Sequence, residues 1–331
     1  MKPLQMPMFS PETEWIPPTH LPDLKDHKEI AIDLETRDPG LKSSGSGSVN
    51  GNGEVVGIAV AVEGWSGYFP IAHEGGGNMD RALVLDWFEE VLHTDATKIF
   101  HNAMYDVSWI RSMGFYIRGG VIDTLIAASL IDENRWGYAL NALGKQYVGV
   151  GKNEKILNDA AKSWGIDPKA DMWRLPAPLV GEYAEQDAVL TLRLWHALQR
   201  EISSQDLWDV FNLETNLFPC LIDMKFKGVR VDAEKANLLK QELIKEEKNI
   251  YRGIRKLIGF DVEIWAAASI AKAFDEVKLP YDRTEKGAPS FTKNFLATHP
   301  HELPKAIANA REINKAHTTF IDTIIKHEHN G

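Results

Sequence analysis

The feature that most constrains this chain is a short apolar run that ends in two carboxylates, Ile30-Ala-Ile-Asp-Leu-Glu-Thr36. Side chains two residues apart on a strand point the same way, so a strand over about 29–34 places Asp33 and Glu35 on one face. Adjacent carboxylates repel each other unless a cation lies between them, and Mg²⁺ and Mn²⁺ prefer oxygen ligands. The same spacing recurs at Asp261-Val-Glu263, so the pair alone is weak evidence for a metal site.

Composition narrows the class of protein. The chain has 331 residues, of which 44% are hydrophobic and 25% charged, and this predicts a globular protein of two domains without a membrane span. One cysteine, Cys220, argues against a disulfide framework or a multi-cysteine zinc site, and we expect a cytoplasmic protein without a secretory signal. The net charge of -10 argues against non-specific coating of nucleic acid, but not against an acidic nuclease site bridged to phosphate by metal ions.

Hydrophobic patterning predicts an α/β domain followed by helices. Strands are expected at 29–34, 54–62, 67–71 and 98–102, and helices at 79–93, 103–113, 124–131, 138–147, 155–164 and 180–201. A Gly/Ser-rich insert at 39–53 reads as a hairpin loop with no functional interpretation. Helices at 207–226, 233–258, 267–278, 291–297 and 301–327 complete the pattern. We predict a mixed sheet flanked by helices, with a domain boundary near residue 205.

Two further acidic elements follow the first. Asp106 comes just after the predicted strand 98–102, at a strand-to-helix corner, where functional groups are common in α/β sheets. A helix cap is an equally good explanation for Asp106 alone. Tyr183 and Asp187 are four residues apart, so a helix presents both on one face. An aromatic that only anchors the helix is the simpler explanation for Tyr183 alone.

Taken together and in this order, the three motifs resemble the exonuclease motifs of the DEDD superfamily, in its tyrosine-bearing branch. The segments Asp33-Leu-Glu-Thr-Arg-Asp-Pro39, Ile122-Asp-Thr124 and Tyr183-Ala-Glu-Gln-Asp-Ala188 are similar to the proofreading domain of family A DNA polymerases of bacteriophage type. The segment 224–232 is similar to the stretch that leads into the polymerase thumb, and segments within 269–322 resemble the thumb itself. The resemblance covers about residues 29–331 and implies an RNase H-like exonuclease domain over 29–205 and a mostly helical thumb-like region over 206–331. The proline-rich residues 1–28 are expected to form an N-terminal extension that precedes it. Palm and fingers are absent, so we expect no polymerase activity from this chain.

The resemblance also implies a mechanism and site residues. It implies two divalent metal ions, Mg²⁺ or Mn²⁺, and hydrolysis of single nucleotides from a single-stranded or frayed DNA 3′ end. The implied ligands are Asp33, Glu35, Asp106 and Asp187, with Tyr183 orienting the attacking water. Candidate contacts to the terminal nucleotides are Asn102, Tyr105, Thr36 and Leu41. Candidate DNA contacts in the second half are Lys225, Lys227, Arg230, Arg283 and Lys286, although simple solvation explains any single one of them.

Other functions remain open at this point. An RNA-processing exonuclease of the same superfamily would share the motifs but would not explain the thumb-like half. A non-catalytic DNA-binding or assembly subunit of a split polymerase is a second alternative, although such subunits can lose carboxylates that are present here. A separate polymerase chain is a candidate partner, and a phage-infected host cell the expected setting. His327 and His329 in the C-terminal tail read as solvated residues rather than as a metal site.

Overall fold

The computed structural model describes residues 11–331. These residues divide into two compact units, the first ending at Gly228 and the second spanning Val229–Gly331. The predicted extension 1–28 is therefore described only from Pro11 onward. Residues 11–28 form no helix or strand but are anchored, because Trp15 Nε1 donates to Glu185 Oε1 at 2.9 Å and Trp87 Nε1 donates to the carbonyl of Pro22 at 2.7 Å. Over residues 11–331, no helix has the length and apolar character needed to cross a bilayer.

The first unit is built on a five-stranded mixed sheet. Its strands are β1 (Glu29–Arg37), β2 (Glu54–Val62), β3 (Trp65–Pro70), β4 (Thr97–Phe100) and β5 (Val121–Asp123). Their order is β3-β2-β1-β4-β5, with β4 and β5 parallel to β1 and the β2–β3 hairpin antiparallel. The strand β1 is thus central and runs further than predicted. The insert 39–53 does connect antiparallel strands, and it contains a short helix α1 (Gly47–Asn50).

Helices cover both faces of this sheet. They are α2 (Arg81–Leu92), α3 (Ala103–Ser112), α4 (Thr124–Ile131), α5 (Leu140–Leu143), α6 (Lys155–Trp164), α7 (Gly181–Ser204) and α8 (Trp208–Lys227). The single helix predicted over 138–147 is wrong in detail. Only α5 is α-helical there, and it continues as a π-helical turn, Gly144–Val148, that ends at Gly149 with φ 79°. Glycine is suited to this left-handed conformation, which stops the helix and starts a loop.

The two faces of the sheet differ in side-chain size. Ile32 and Leu34 of β1 face a core that also contains residues of α2 and α3. Large side chains, such as Phe88 of α2, fill this core. Ala31, on the alternate face, packs with Ala184 and Ala188 of α7. Small residues on both elements allow close approach of helix and strand. Because Asp33 and Glu35 continue the Ala31 face, the alternation of β1 directs them toward α7.

The first compact unit ends at Gly228 and therefore includes α8, which follows the predicted domain boundary near residue 205. The helix α8 belongs to the first unit because Phe218 and Ile222 are buried in the core beneath α2 and α3, and Phe211 is buried with α7. The Lys225 ammonium also donates to Ser108 Oγ at 2.9 Å. The change in sequence composition near 205 therefore marks a helix end rather than the end of a packing unit.

The second unit is mostly helical. It contains α9 (Ala233–Ile258), α10 (Ala267–Glu276), a two-stranded ribbon of β6 (Asp282–Arg283) and β7 (Pro289–Ser290), α11 (Lys293–Thr298), α12 (Glu302–Lys315) and α13 (Asp322–His327). The helix predicted over 301–327 is interrupted by a π-helical turn at Ala316–Ile321. In this turn His317 Nε2 lies 2.7 Å from the buried Glu247 carboxylate. The core of the unit is formed by Ile254, Phe274, Leu296 and Ile307, among others.

Candidate active site

Three of the predicted ligands meet at the junction of β1 and α7. Oxygens of Asp33, Glu35 and Asp187 all lie within 4.8 Å of one another, and this is the one such acidic group within residues 11–331. Asp33 is half-buried, whereas Glu35 and Asp187 are 6% and 2% exposed. The cavity above them, about 520 Å³, is also lined by His101, Asn102 and Tyr183, among others.

The local structure explains how two carboxylates fit on this face. Glu35 pairs with Gly57 of β2, where a Cβ would lie 2.0 Å from the Tyr68 hydroxyl, so the ring of Tyr68 fills the place of a side chain. His73 Nδ1 lies 3.0 Å from the carbonyl of Leu175 and must be its protonated nitrogen, since a carbonyl only accepts. Burial lowers the pKa of His73 to about 4. The neutral ring therefore accepts at Nε2 from the Tyr68 hydroxyl, 2.6 Å away, and that hydroxyl proton does not point to the carboxylates.

The carboxylates are poised to bind a cation. Burial, and then repulsion from Asp187, raises the pKa of Asp33 to about 7. Burial and the charges of Asp33 and Asp187 likewise raise the pKa of Glu35 well above its usual range. Asp187 Oδ1 is buried and has no hydrogen-bond partner among residues 11–331. Clustered hard oxygens that repel one another, with one orphaned acceptor, fit a divalent metal ion.

Asp106 lies beside this group rather than within it. It is in the first turn of α3, 5% exposed, and its Oδ1 accepts from the backbone N–H of Leu34 at 2.9 Å. Burial, followed by the charge of Asp33, raises the pKa of Asp106 well above its usual range. Asp106 thus ties α3 to the middle of β1 and still has a second oxygen to offer.

Tyr183 lies on α7 one turn before Asp187, as the spacing predicts. Burial and the charges of Glu35, Asp187 and Asp33 raise the pKa of its phenol far above the usual value. The hydroxyl therefore stays protonated and can orient a water, but it cannot act as a general base.

Of the remaining candidates for nucleotide contact, two form a hydrogen-bonded network and two are exposed. The hydroxyls of Thr36 and Tyr105 are 2.6 Å apart, and Tyr105 also donates to Asp38 Oδ2 at 3.3 Å. Asn102 is exposed, with a left-handed backbone of φ 68° at the start of α3. Leu41 is 44% exposed in the insert.

The sequence interpretation missed Lys152 and the structural role of Asp123. Lys152 reaches the site from the loop between the π-helical turn and α6, and its Nζ lies 2.5 Å from Asp187 Oδ2. In the sequence, Asp123 is distinguished only by its place in the family-like segment Ile122-Asp-Thr124. It joins two helix starts: its Oδ1 accepts from the N–H groups of Asn102 and Leu125, and its Oδ2 from Ala103. A Gly-x-Gly-Lys loop was the only sequence signal for Lys152.

Comparison with known proteins decides the family. A family model described as 3′-5′ exonuclease matches residues 17–203, more than half of the chain. The chain belongs to the 3′-5′ exonuclease family. The match covers β1, α3 and α7, so all five predicted catalytic residues lie within this exonuclease domain.

Curated relatives place the exonuclease domain among family A DNA polymerases. The chain is 34% identical to a DNA-directed DNA polymerase of Pseudomonas phage M6, over 99% of this chain and 51% of that protein. It is 29% identical to DNA polymerase DpoZ of Salmonella phage PMBT28, over 91% of this chain and 48% of that protein. It is also 27% identical to DNA polymerase I of Pseudomonas aeruginosa, over 92% of this chain and 33% of that protein. The chain therefore spans about half the length of the two phage relatives, and less of the bacterial polymerase.

A solved structure supports the fold. The POL domain of Pol1 from M. smegmatis, in complex with DNA primer-template and dNTP, superposes with a TM-score of 0.67 over 91% of this chain and 47% of that chain, at 15% identity. The mixed sheet flanked by helices in the exonuclease domain is consistent with the RNase H-like fold that the resemblance implied.

The candidate DNA-contact residues are distributed over both units. Lys225, in the first unit, is half-buried on Ser108, and burial lowers its pKa, so its ammonium is already engaged. Lys227 is exposed at the end of α8. In the second unit Arg230 and Lys286 are exposed, and Arg283 Nη1 donates to the carbonyl of Gly287 at 2.8 Å.

Proposed function

We propose that this chain is a 3′-5′ exodeoxyribonuclease that removes nucleotides from single-stranded or frayed DNA 3′ ends as the proofreading part of a family A polymerase. The observation that carries the proposal is the convergence of Asp33, Glu35 and Asp187 within 4.8 Å, beside Tyr183, in a domain of this family. Unpaired ends are favoured because paired bases must first be separated to enter the site.

The residues divide the work as follows. Asp33, Glu35 and Asp187 would hold one metal ion, and Asp106 with Asp33 would hold a second. When bound, Mg²⁺ or Mn²⁺ makes water a better nucleophile and stabilises the leaving 3′ oxygen. Tyr183, kept protonated, orients the attacking water through its hydroxyl.

The chain also has groups suited to holding the strand. Thr36, Tyr105 and Asn102 lie at the β1 and α3 edge of the site and contact the terminal nucleotide. Leu41, exposed on the insert, packs against the terminal base.

The second unit is proposed as the thumb. The proposed phosphate contacts of the thumb-like region predicted over 206–331 are Lys227, at the end of α8, and Arg230, Arg283 and Lys286 in the second unit. Lys225 is the weakest candidate, because its ammonium already donates to Ser108. A palm and fingers, as part of the same polypeptide or as a separate chain, are the proposed partner, since relatives extend well beyond the matched half. The setting is then the cytoplasm of a phage-infected host.

The direct test is digestion of a 5′-labelled single-stranded DNA oligonucleotide with Mg²⁺ or Mn²⁺. We expect a ladder that shortens from the 3′ end, and complete loss of this activity when EDTA removes the metal. A matched RNA oligonucleotide should be degraded much more slowly. Metal-independent degradation, or none by a folded protein, would contradict the proposal, and faster loss of RNA would favour an RNA-processing enzyme.

Replacing Tyr183 with Phe should lower kcat by about 10- to 100-fold and leave KM for the oligonucleotide nearly unchanged. Only an orienting hydroxyl is lost, and the ring keeps its packing against the cluster of Leu157, Trp164 and Leu179. Single-turnover digestion measures the change. Tyr116→Phe, on a tyrosine that is 75% exposed, is the control. A loss as large as that from removing a metal ligand would show that Tyr183 does more than orient water.

A further inference from the structure

The loop Gly149–Asn153 delivers a lysine into the acidic site. Lys152 Nζ donates to Asp187 Oδ2 at 2.5 Å and to the Tyr183 hydroxyl at 3.3 Å, and it lies 5.1 Å from the centre of the Tyr183 ring. Its side chain is 16% exposed, which is low for a lysine. A long cationic side chain in this position must replace its hydration by contacts with the protein.

The loop is held in place by residues of the surrounding helices. The backbone N–H of Lys152 donates to Asn141 Oδ1 at 3.0 Å. Gln186, the neighbour of Asp187 on α7, uses both ends of its amide. Its Nε2 donates to the carbonyl of Gly151 at 3.2 Å, and its Oε1 accepts from the N–H of Asn153 at 2.6 Å. Lys152 is therefore presented by a clamped backbone rather than by a free loop.

Charge keeps the lysine in the site. Lys152 Nζ forms an ion pair with the Asp187 carboxylate, which is itself buried, and the Tyr183 hydroxyl lies within hydrogen-bond distance of the same ammonium. The pair is a buried ion pair with a second acceptor, Tyr183, for the ammonium.

The two oxygens of Asp187 have different surroundings. Oδ2 accepts from Lys152, whereas Oδ1 is buried and has no partner in the part of the chain that the structure describes. A carboxylate held at one oxygen leaves the other with a defined direction, as hydrogen-bond partners of metal ligands commonly do. Nothing in this arrangement requires the lysine to leave when a cation binds at Oδ1.

We propose that Lys152 is a positioning residue of the exonuclease site: it holds Asp187 through Oδ2 and contacts the Tyr183 hydroxyl, so that Asp187 presents Oδ1 to the metal. The inference rests on the proposed function. It differs from the view that Lys152 only substitutes for a metal ion, because a substitute competes with the metal, whereas a positioning residue assists it.

The sign of one measurement separates these two roles. We expect Lys152→Met to weaken Mn²⁺ binding, followed by isothermal titration calorimetry without DNA, by about 10- to 100-fold. At saturating Mn²⁺ we expect kcat to fall by about 10-fold or more, with KM for the oligonucleotide little changed. Lys152→Arg should recover part of both losses. Lys162→Met, on an exposed lysine of α6, is the matched control and should change neither. Mn²⁺ binding that is unchanged or tighter in Lys152→Met would overturn the proposal.

A second variant tests the loop independently. Gln186→Ala removes both contacts to the loop and leaves Lys152 itself in place. We expect a smaller loss of Mn²⁺ affinity, and in the double variant a loss less than the sum of the two free energies, since both act through the same ammonium. If the losses of Mn²⁺ binding free energy in the two single variants add fully in the double variant, Gln186 does not act through Lys152. If Asp33→Asn retains wild-type activity, the proposed function fails; if it is inactive while Lys152→Met resembles wild type, only the role of Lys152 fails.

Discussion

Asp33→Asn is expected to lower the exonuclease rate by about 1,000-fold or more and, at the same time, to stabilise the metal-free protein at pH 8. The rate falls because Asp33 is the carboxylate shared by both proposed metal positions. Stability rises because the ionised Asp33 is held against Asp187 in a buried site. The same substitution is therefore expected to lower the exonuclease rate and to raise the stability of the metal-free protein.

The sign of the stability effect follows from the pKa of Asp33, which is raised from 3.8 to about 7 in the folded protein. Between these values the folded state binds the proton more tightly than the unfolded state. The free energy of unfolding therefore falls as pH rises through this window, and the penalty is complete above about pH 7. Asparagine carries no charge, so the variant loses the penalty.

Urea unfolding in EDTA at pH 4 and pH 8 measures this change. We expect a gain on the order of 1–2 kcal/mol for Asp33→Asn at pH 8, and a much smaller difference at pH 4. Asp95→Asn, on a carboxylate whose side chain is 83% exposed, is the control. A variant less stable than wild type at pH 8 without metal would show that repulsion does not dominate this site.

Asp123→Ala should cost about 2–4 kcal/mol of unfolding free energy and also lower activity. The Asp123 carboxylate accepts three backbone N–H groups, from Asn102, Ala103 and Leu125, at 2.8–2.9 Å. It thereby caps both α3 and α4 from a single buried position. Alanine would leave these donors without their carboxylate acceptor, and the first turn of α3 carries Asp106.

Asp80→Ala provides the comparison for this effect. Asp80 caps α2 through a single bond to the N–H of Leu83 at 3.0 Å, so its loss should cost about 1 kcal/mol. Denaturant unfolding of both variants, with single-turnover digestion of each, distinguishes a loss of capping from a loss of the site. If Asp123→Ala lowers the free energy of unfolding no more than Asp80→Ala does, the three contacts of Asp123 contribute no more than the single contact of Asp80.

Much of the fold could be predicted because it depends on local patterns. The alternation of β1, the helical spacing of α2 and α7 and the helix α9 are visible in short windows of sequence. The extent of a packing unit depends instead on long-range contacts. The helix α8 follows a change in composition yet buries Phe211 and Phe218 in the first unit. The π-helical turns were invisible because their hydrophobic spacing resembles that of an α-helix.

What the sequence determined by itself is the set of chemical groups and their local direction. The spacing of two at Asp33 and Glu35, and of four at Tyr183 and Asp187, sets a common face in any strand or helix. The motif residues between the last pair show the limit of this reasoning. Glu185 accepts from Trp15 and from the N–H of Tyr68, and Gln186 clamps the loop of Lys152.

Packing between distant segments determines which of these groups meet. Asp33 and Asp187 are brought together by small residues, Ala31, Ala184 and Ala188, that let α7 approach the sheet. Lys152 enters the site because Asn141 and Gln186 hold a loop that has no periodicity to reveal its position. Side-chain direction depends on backbone geometry over a few residues, whereas the meeting of distant charges depends on packing of the whole unit. The carboxylates of the site could therefore be predicted from the sequence, whereas Lys152, the cation that pairs with Asp187, could not.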